Sequence, residues 1–295
     1  MLNIYVIGCG GIGGYLIDML PMAIASLSLD ILQERGYDIQ PYLANAGNIA
    51  LPCVVDRLTL VDGDIFNARN ALRQGAGAGS KLAQRMHDIE DSVVRLSYLQ
   101  TMKLVGYNAY VNPTNMKQII PECPEINPDA GEAREHYQIN IEGLATPDLV
   151  TASVVFLCVD NLKTRYEVSK YMENFSDCLV INGGNEKTSG HVTLYERKNG
   201  KALDPNIYDV YPNITPDADQ RPDEAACTEI APKHDQIAVT NSIVANIMIA
   251  SFNRWARSGL YQEEGTGSRK RTVRKNEIII DTDRMSMIAV HHPLA

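Results

Sequence analysis

The residues best suited to chemistry begin where a short apolar run ends, near position 60. The run 58–61 stops at Asp62, and Asp64, Arg73 and Lys81 follow it along the chain. A carboxylate at a strand end can accept hydrogen bonds from ribose hydroxyls, and cationic side chains stabilise the charge of a triphosphate. A dehydrogenase needs the ribose acid but little additional positive charge. The set therefore favours ATP-dependent nucleotidyl transfer over hydride transfer.

A glycine-rich segment near the start of the chain predicts where the nucleotide binds. Gly8, Gly10, Gly11 and Gly13 lie between the β-branched run 2–7 and an apolar pattern of helical period. A strand, a glycine turn and a helix form the context in which G-x-G-x-x-G binds a nucleotide, because the N–H groups and dipole of a helix N-terminus attract anions. We predict that these four glycines contact the nucleotide.

A third acidic position predicts a metal site. Asp160 directly follows the apolar run 153–159. In a parallel sheet this strand end would lie beside the phosphate-binding turn, and a carboxylate next to phosphates suits Mg²⁺, which prefers oxygen ligands. We predict that Asp160 binds Mg²⁺.

Alternation of predicted strands and helices indicates how these residues are positioned. The pattern predicts an α/β fold, a Rossmann-like doubly wound mixed sheet whose ligands bind at the carboxyl ends of the strands. The insertion 22–54 is expected to lengthen the first helix and add a loop or helix, as a surface elaboration or a partner-binding element, and 198–224 is expected to be a long loop. We predict an ATP-binding domain over 1–260 and a basic loop with a C-terminal β-hairpin over 261–295. The other predicted elements are strands 2–7, 104–111, 153–159, 178–182 and 191–196, helices 81–99, 163–174 and 237–255, and a hairpin over 276–290.

Composition narrows the class of partner and the compartment. The 295 residues carry a net charge of −9, so no nucleic-acid partner is expected, because phosphate backbones require cationic surface. No apolar run is predicted to span a membrane, and no positive region of a signal peptide precedes the first strand. Six cysteines without a C-x-x-C pair favour a reducing cytoplasm. The helix 237–255 has too little polar surface for exposure, so the core or a twofold partner must cover it, and a homodimer is expected.

The acidic and basic residues together form a specific pattern. The sequence contains D-x-D-x-x-x-x-x-N-x-x-R-Q, a downstream lysine and a later D-N-x-x-x-R. In this respect it resembles the E1-like adenylating superfamily, which includes the ThiF, MoeB and HesA proteins and the ubiquitin-activating enzymes. The resemblance covers roughly residues 1–260. The matching residues are Asp62, Asp64, Asn70, Arg73, Gln74, Lys81, Asp160, Asn161 and Arg165.

The resemblance implies an activity and a role for each matching residue. It implies that the protein uses ATP to adenylate a C-terminal carboxylate, of a ubiquitin-like or sulfur-carrier protein ending in Gly-Gly or of a peptide, with release of pyrophosphate. It also implies a homodimer. Arg165 would brace the Asp160 turn or form a plain salt bridge on a helix face. The implied roles are nucleotide binding for Gly10 and its neighbours, ribose binding for Asp62, phosphate binding for Asn70, Arg73, Gln74 and Lys81, and Mg²⁺ binding for Asp160; Asp64 would bind the nucleotide or support its neighbours.

Cys227 is a candidate nucleophile for a second step. It follows a Pro-rich segment, and a thiolate there could accept the carrier's C-terminus from the adenylate. Cys9 and Cys158 are expected to be packing residues instead. Related proteins adenylate without cysteine chemistry, so Cys227 is either catalytic or an incidental thiol.

Two departures from the family leave other functions open. The first strand is predicted at the start of this sequence, so no counterpart of the family's N-terminal helix and its arginine is expected; either another residue fills that role or the activity is altered. The zinc-binding cysteine pairs of many relatives are also absent. The alternatives are an NAD(P)-binding Rossmann oxidoreductase and a catalytically inactive E1-like scaffold.

Overall fold

The computed structural model describes ten stretches of the chain. Four of the predicted site residues, Asn70, Arg73, Gln74 and Cys227, lie outside them, as do most of the insertion after residue 40 and the basic loop 261–274. The described residues are 2–34, 36, 38–40, 53–66, 79–95, 102–122, 152–186, 188–219, 238–260 and 275–294.

Strands and helices alternate through most of the described chain, and here they are numbered in chain order. The strands are β1 (Leu2–Ile7), β2 (Val55–Val61), β3 (Ile65–Phe66), β4 (Gly79–Ser80), β5 (Lys103–Tyr107), β6 (Ala152–Leu157), β7 (Cys178–Asn185), β8 (Ser189–Lys198), β9 (Lys201–Ala202), β10 (Glu277–Asp281) and β11 (Ser286–Val290). The helices are α1 (Gly11–Glu34), α2 (Lys81–Arg95), α3 (Met116–Ile119), α4 (Leu162–Tyr171, continued by a 3-10 turn, Met172–Asn174), α5 (Ile207–Val210) and α6 (Ala238–Leu260).

One open mixed sheet contains most of these strands, in the order β11-β10-β8-β7-β6-β1-β2-β5, with β9 paired to β8. The strands β5, β2, β1, β6 and β7 are parallel, while β8, β10 and β11 are antiparallel to their neighbours. The predicted fold class, a Rossmann-like doubly wound mixed sheet with a C-terminal hairpin, is confirmed. The division into domains at residue 260 stays a prediction.

The sheet separates two apolar layers, because alternate residues of each strand point to opposite faces. Ile4 and Val6 of β1 belong to the layer beneath α1 and α6, whereas Tyr5 and Ile7 belong to the layer beneath α3 and α4. Every residue of β6 is buried. Such a strand, apolar on both faces, is typical of the centre of a parallel sheet.

Helix α6 packs in the first of these apolar layers. Of the two alternatives for its apolar surface, cover by the core and cover by a twofold partner, the structure shows the first. Val244, Met248 and Phe252 are fully buried and pack with residues of α1 and β7. The core of this chain therefore covers much of the helix. The homodimer stays a prediction, but the apolar surface of α6 is no longer an argument for it.

Helix α1 corrects the expectation that no segment could cross a membrane. Its apolar window has a mean hydropathy of 1.6, and the helix is long enough to span a bilayer by length and composition. In this structure thirteen of its residues are buried, including Leu16, Ile17 and Leu20, and it packs against α6 and the sheet. The mean hydropathy of α1 therefore has an explanation in the fold, since a helix covered on most sides can be apolar on most sides.

Several predicted boundaries are wrong for local reasons. β5 ends at Tyr107 instead of residue 111, because its neighbour β2 ends opposite it at Val61 and offers no further partner. The predicted loop 198–224 contains β9 and α5 instead. Asn206 begins α5 with a capping box, in which its side chain and that of Asp209 bind each other's backbone N–H groups.

Candidate functional site

A cavity of about 660 Å³ lies at the carboxyl ends of the parallel strands. The register explains its position: Ile7 is level with Val61 of β2 and with Leu157 of β6, so the residues that follow the three strands meet at one edge of the sheet. The predicted residues in its lining are Gly8, Gly10, Gly11, Asp62, Asp64, Lys81, Asp160, Asn161 and Arg165.

The glycine turn joins β1 to α1 with almost no free space. Gly8 has φ of +89°, and a Cβ on it would lie 2.9 Å from the carbonyl oxygen of Cys158. A Cβ on Gly13 would lie 1.8 Å from the carbonyl oxygen of Gly8, so this glycine lies behind the turn and lets the helix pack closely against it. Helix α1 begins at Gly11, and its N-terminus faces the cavity, where N–H groups can bind an anion.

Asp62 is anchored beside this turn. One carboxylate oxygen accepts from the backbone N–H of Cys9 at 2.6 Å, and the other accepts from the N–H of Asp64 at 2.8 Å. Burial raises the pKa of the Asp62 carboxyl, and the charge of Lys81 and these hydrogen bonds act in the opposite direction. The carboxylate is therefore held in a fixed orientation at the edge where a ribose would lie in a nucleotide-binding sheet.

Asp64 links the lysine and a tyrosine to the same edge. Lys81, which begins α2, places its ammonium 2.8 Å from one Asp64 oxygen, and the hydroxyl of Tyr110 donates to the other. Lys81 is almost fully buried. A buried ammonium next to a cavity and held by one carboxylate is suited to bind a further anion such as a phosphate. Tyr110 was missed by sequence reasoning, although its position just after β5 could have indicated it.

The turn that contains Asp160 is stabilised by hydrogen bonds of the side chains of Asn161 and Arg165. Asn161 caps α4, its side chain accepting from the N–H of Thr164 at 2.7 Å. The Arg165 guanidinium donates to the carbonyl oxygens of Val159 and Gly183, the latter at 2.7 Å, and so ties the end of β6 to β7. Burial lowers the pKa of Arg165. Of the two interpretations of Arg165, bracing the turn agrees with these contacts.

Asp160 itself is exposed at the edge of the cavity. Among the described residues, no group of three or more His, Cys, Asp and Glu side chains is arranged to hold a metal ion. A single carboxylate still fits Mg²⁺, which is commonly bound by one or two carboxylates together with the phosphates of the substrate. The N–H groups of Leu162 and Lys163 nearby donate to Asp219, each at 2.9 Å.

Two cysteines near the turn have the surroundings of packing residues. Cys9 is fully buried, and burial raises the pKa of its thiol. Burial likewise raises the pKa of Cys158 to about 12. Neither thiol would form a nucleophilic thiolate at neutral pH.

The other end of the cavity contains residues that sequence reasoning missed. Gly184 of β7, His191 of β8, Tyr211 after α5 and Ile279 of β10 line it. Burial, together with the charge of Arg165, lowers the pKa of His191 to about 4, so its imidazole is neutral at pH 7. No local motif marks these residues, because antiparallel pairing and a distant segment of the chain bring them together.

Comparisons with known proteins give structural neighbours only. No protein-family model matches the chain, and no curated protein matches its sequence. Among solved structures, PaaA is 12% identical with a TM-score of 0.53, over 99% of this chain and 64% of that one. E. coli MccB with ATP is 14% identical with a TM-score of 0.52, over 98% and 63%. The Microcin C7 biosynthetic enzyme MccB in complex with N-formylated MccA is 14% identical with a TM-score of 0.51, over 98% and 64%.

These neighbours define the fold of the chain. The chain shares with PaaA and MccB the fold of an open Rossmann-like mixed sheet. The chain spans just under two thirds of the length of the PaaA and MccB chains. At this level of identity the likeness shows the fold, and activity has to be argued from the site.

Proposed function

We propose that the protein is an E1-like adenylyltransferase that transfers AMP from ATP to the C-terminal carboxylate of a peptide, or of a ubiquitin-like or sulfur-carrier protein. The observation that carries this proposal is the convergence of the glycine turn, Asp62, the Asp64–Lys81 pair and Asp160 on one cavity. The neighbouring structures of MccB with ATP, with AMPCPP and MccA, and with MccA alone support a site for ATP and a peptide.

In this proposal ATP binds at the end of the cavity formed by the parallel strands. The N-terminus of α1 and the ammonium of Lys81 provide positive charge for phosphate oxygens. Asp62 lies at the neighbouring strand end, where it can accept from ribose hydroxyls. Asn70, Arg73 and Gln74, which the family resemblance implies at the phosphates, complete this part of the proposal.

The chemical step is a displacement at phosphorus. An oxygen of the substrate carboxylate attacks the α-phosphorus of ATP, the bond from that phosphorus to the bridging oxygen breaks, and pyrophosphate leaves with the electron pair. The products are an acyl adenylate and pyrophosphate, and no proton has to be transferred. Mg²⁺, when bound at Asp160, would neutralise charge on the phosphates.

A second step and the assembly are further parts of the proposal. Transfer of the acyl group to Cys227 would release AMP and form a thioester, and an adenylating enzyme without this step is equally compatible with the site. A homodimer and a cytoplasmic location also stay predictions.

Calorimetry with ATP and Mg²⁺ tests the proposal. Asp62→Ala should weaken ATP binding by about 1–3 kcal/mol, through lost hydrogen bonds to the ribose and a less ordered turn. Asp91→Ala, on the exposed surface of α2, is the matched control and should bind as the wild type does. NAD should give no binding. Binding of NAD in preference to ATP, or equal ATP affinity of wild type and Asp62→Ala, would contradict the proposal.

A further inference from the structure

The end of the cavity opposite the glycine turn is here called the distal lobe, defined by Gly184, His191, Tyr211 and Ile279. Antiparallel strands build it: Gly184 pairs with His191, and His191 pairs with Ile279, so these residues form a row across β7, β8 and β10. The lobe and the nucleotide end belong to one cavity. A ligand with its carboxylate at the phosphates can therefore extend into the distal lobe.

The ring of His191 is fixed in the distal lobe on both sides. A Cβ on Gly184 would lie 2.4 Å from Cε1 of His191, so only glycine allows the imidazole to lie against the backbone of β7. On its other side the ring meets that of Tyr211, with centroids 5.5 Å apart. Loss of the Tyr211 ring would leave the imidazole free to turn, and a side chain at position 184 would displace it.

Tyr211 is held in turn by the C-terminal segment. Its hydroxyl donates to a carboxylate oxygen of Glu277, and the second oxygen of Glu277 lies 2.6 Å from Nε2 of His292. Glu277 is almost fully buried. Asn276 secures the backbone of His292 through two hydrogen bonds of 2.8 Å. These contacts hold the distal lobe in place, and they come from a segment of the chain that contains none of the family's motif residues.

The hydrogen-bonding groups of His191 are available to a ligand. Within the described residues, neither ring nitrogen has a hydrogen-bond partner, whereas the hydroxyl of the neighbouring Tyr211 donates to Glu277. The imidazole is uncharged at neutral pH because of burial and of Arg165. A neutral imidazole offers one donor and one acceptor, which is the pattern that a peptide amide complements.

The charges around the lobe disfavour a cationic ligand group. Arg165 lies close enough to lower the pKa of His191 and would repel a cation. The carboxylate of Glu277 is already occupied by Tyr211 and His292, so it is not free to pair with a cation. A cationic side chain would lose its hydration here without gaining a counter-ion.

We propose that the distal lobe takes the last residue of the acyl substrate, that this residue carries no positive charge, and that His191 contacts it through a hydrogen bond to an amide group. This inference rests on the proposed function, since it places the acyl side of the adenylation reaction. Tyr211, Glu277 and His292 act through His191 and are positioning residues.

The test uses synthetic heptapeptides with six randomised residues and a fixed last residue, in separate pools. ATP–pyrophosphate exchange is measured with each pool. For the wild type, pools ending in residues without a positive charge should support exchange at least tenfold better than pools ending in Lys or Arg. His191→Phe keeps a ring between Gly184 and Tyr211 but removes the hydrogen bonds, and should raise KM for the preferred pools three- to tenfold without changing the affinity for ATP. His191→Gln, which keeps a donor and an acceptor, should recover part of this loss.

The controls separate this inference from the proposed function. His87→Phe replaces an exposed histidine on α2 and should behave as the wild type. Preference for Lys or Arg as the last residue, or the same KM in His191→Phe and wild type, would overturn this inference while adenylation itself stands. If ATP binds and no pool supports exchange, peptide adenylation fails and this inference fails with it.

Discussion

The two ends of the cavity are built in different ways. At the nucleotide end, Gly8, Asp62 and Asp160 each follow a parallel strand, so the register of β1, β2 and β6 alone brings them together. At the distal lobe, His191 lies within an antiparallel strand and is positioned by Tyr211 through packing. The first arrangement depends on backbone geometry, and the second depends on side chains from distant segments of the chain.

This difference predicts different consequences of mutation. Changes at the nucleotide end should affect ATP, because the turn and the carboxylates face that ligand. Changes at the distal lobe should affect the acyl substrate while ATP binding persists. The following predictions test this separation, beginning with the largest expected effect.

Gly13→Ala should have the largest effect, on the fold as well as on ATP. The added Cβ would lie 1.8 Å from the Gly8 carbonyl oxygen, so the turn and the start of α1 must move apart. We expect a loss of about 3 kcal/mol or more of unfolding free energy, measured by urea denaturation, and no detectable ATP binding. Gly200→Ala is the matched control: Gly200 also has a positive φ, of +74°, but nothing lies within 4 Å of its Cβ position. It should lose only about 1–2 kcal/mol and keep its affinity for ATP.

The nucleotide end of the cavity could be predicted from the sequence better than the distal lobe. The sequence predicted β1 correctly and β6 to within two residues, and with them the strand-end positions of Asp62 and Asp160. It could do so because buried parallel strands are continuous apolar runs and their carboxyl ends meet.

The antiparallel part of the sheet was harder to predict from the sequence. The two glycines at 183 and 184 indicated the end of β7, since paired glycines favour turns, yet the strand continues to Asn185. The structure gives the reason: side chains at these positions would collide with Met248 and His191, at 2.3 and 2.4 Å. Such a requirement comes from tertiary packing and cannot be recognised in a single sequence.

Asp160→Asn should have the next largest effect, confined to chemistry. The side chain is exposed, so the substitution should change the free energy of unfolding by no more than about 0.5 kcal/mol. Carrier- or peptide-dependent pyrophosphate exchange should fall by a factor of about 100 or more, because an amide no longer provides negative charge for Mg²⁺. Wild-type exchange in this variant would exclude Asp160 as the metal ligand.

Tyr211→Phe should have a smaller effect that belongs to the distal lobe. It removes the hydrogen bond from the Tyr211 hydroxyl to the buried Glu277 carboxylate while keeping the ring against His191. Hydrogen bonds to charged groups contribute about 2 kcal/mol, so unfolding free energy should fall by roughly that amount. ATP affinity measured by calorimetry should change less than twofold. A large loss of ATP binding would mean that the two ends of the cavity are not separable.

The smallest predicted effect is the pH dependence contributed by His191. Its folded pKa of about 4 lies below the ordinary value of 6.5, so between these values the unfolded chain binds more protons than the folded one. Stability from this group is therefore fully present above pH 6.5 and declines as the pH falls towards 4. Between pH 7 and pH 5.5 the loss should be about 1 kcal/mol.

His191→Phe isolates this contribution from those of the other five histidines. The difference in unfolding free energy between wild type and His191→Phe should become more favourable to the variant by about 1 kcal/mol as the pH falls from 7 to 5.5. A parallel decline of the two proteins would show that His191 titrates normally. A normally titrating ring would carry charge in mildly acidic assays, and the uncharged contact with the acyl substrate would then hold only above pH 6.5.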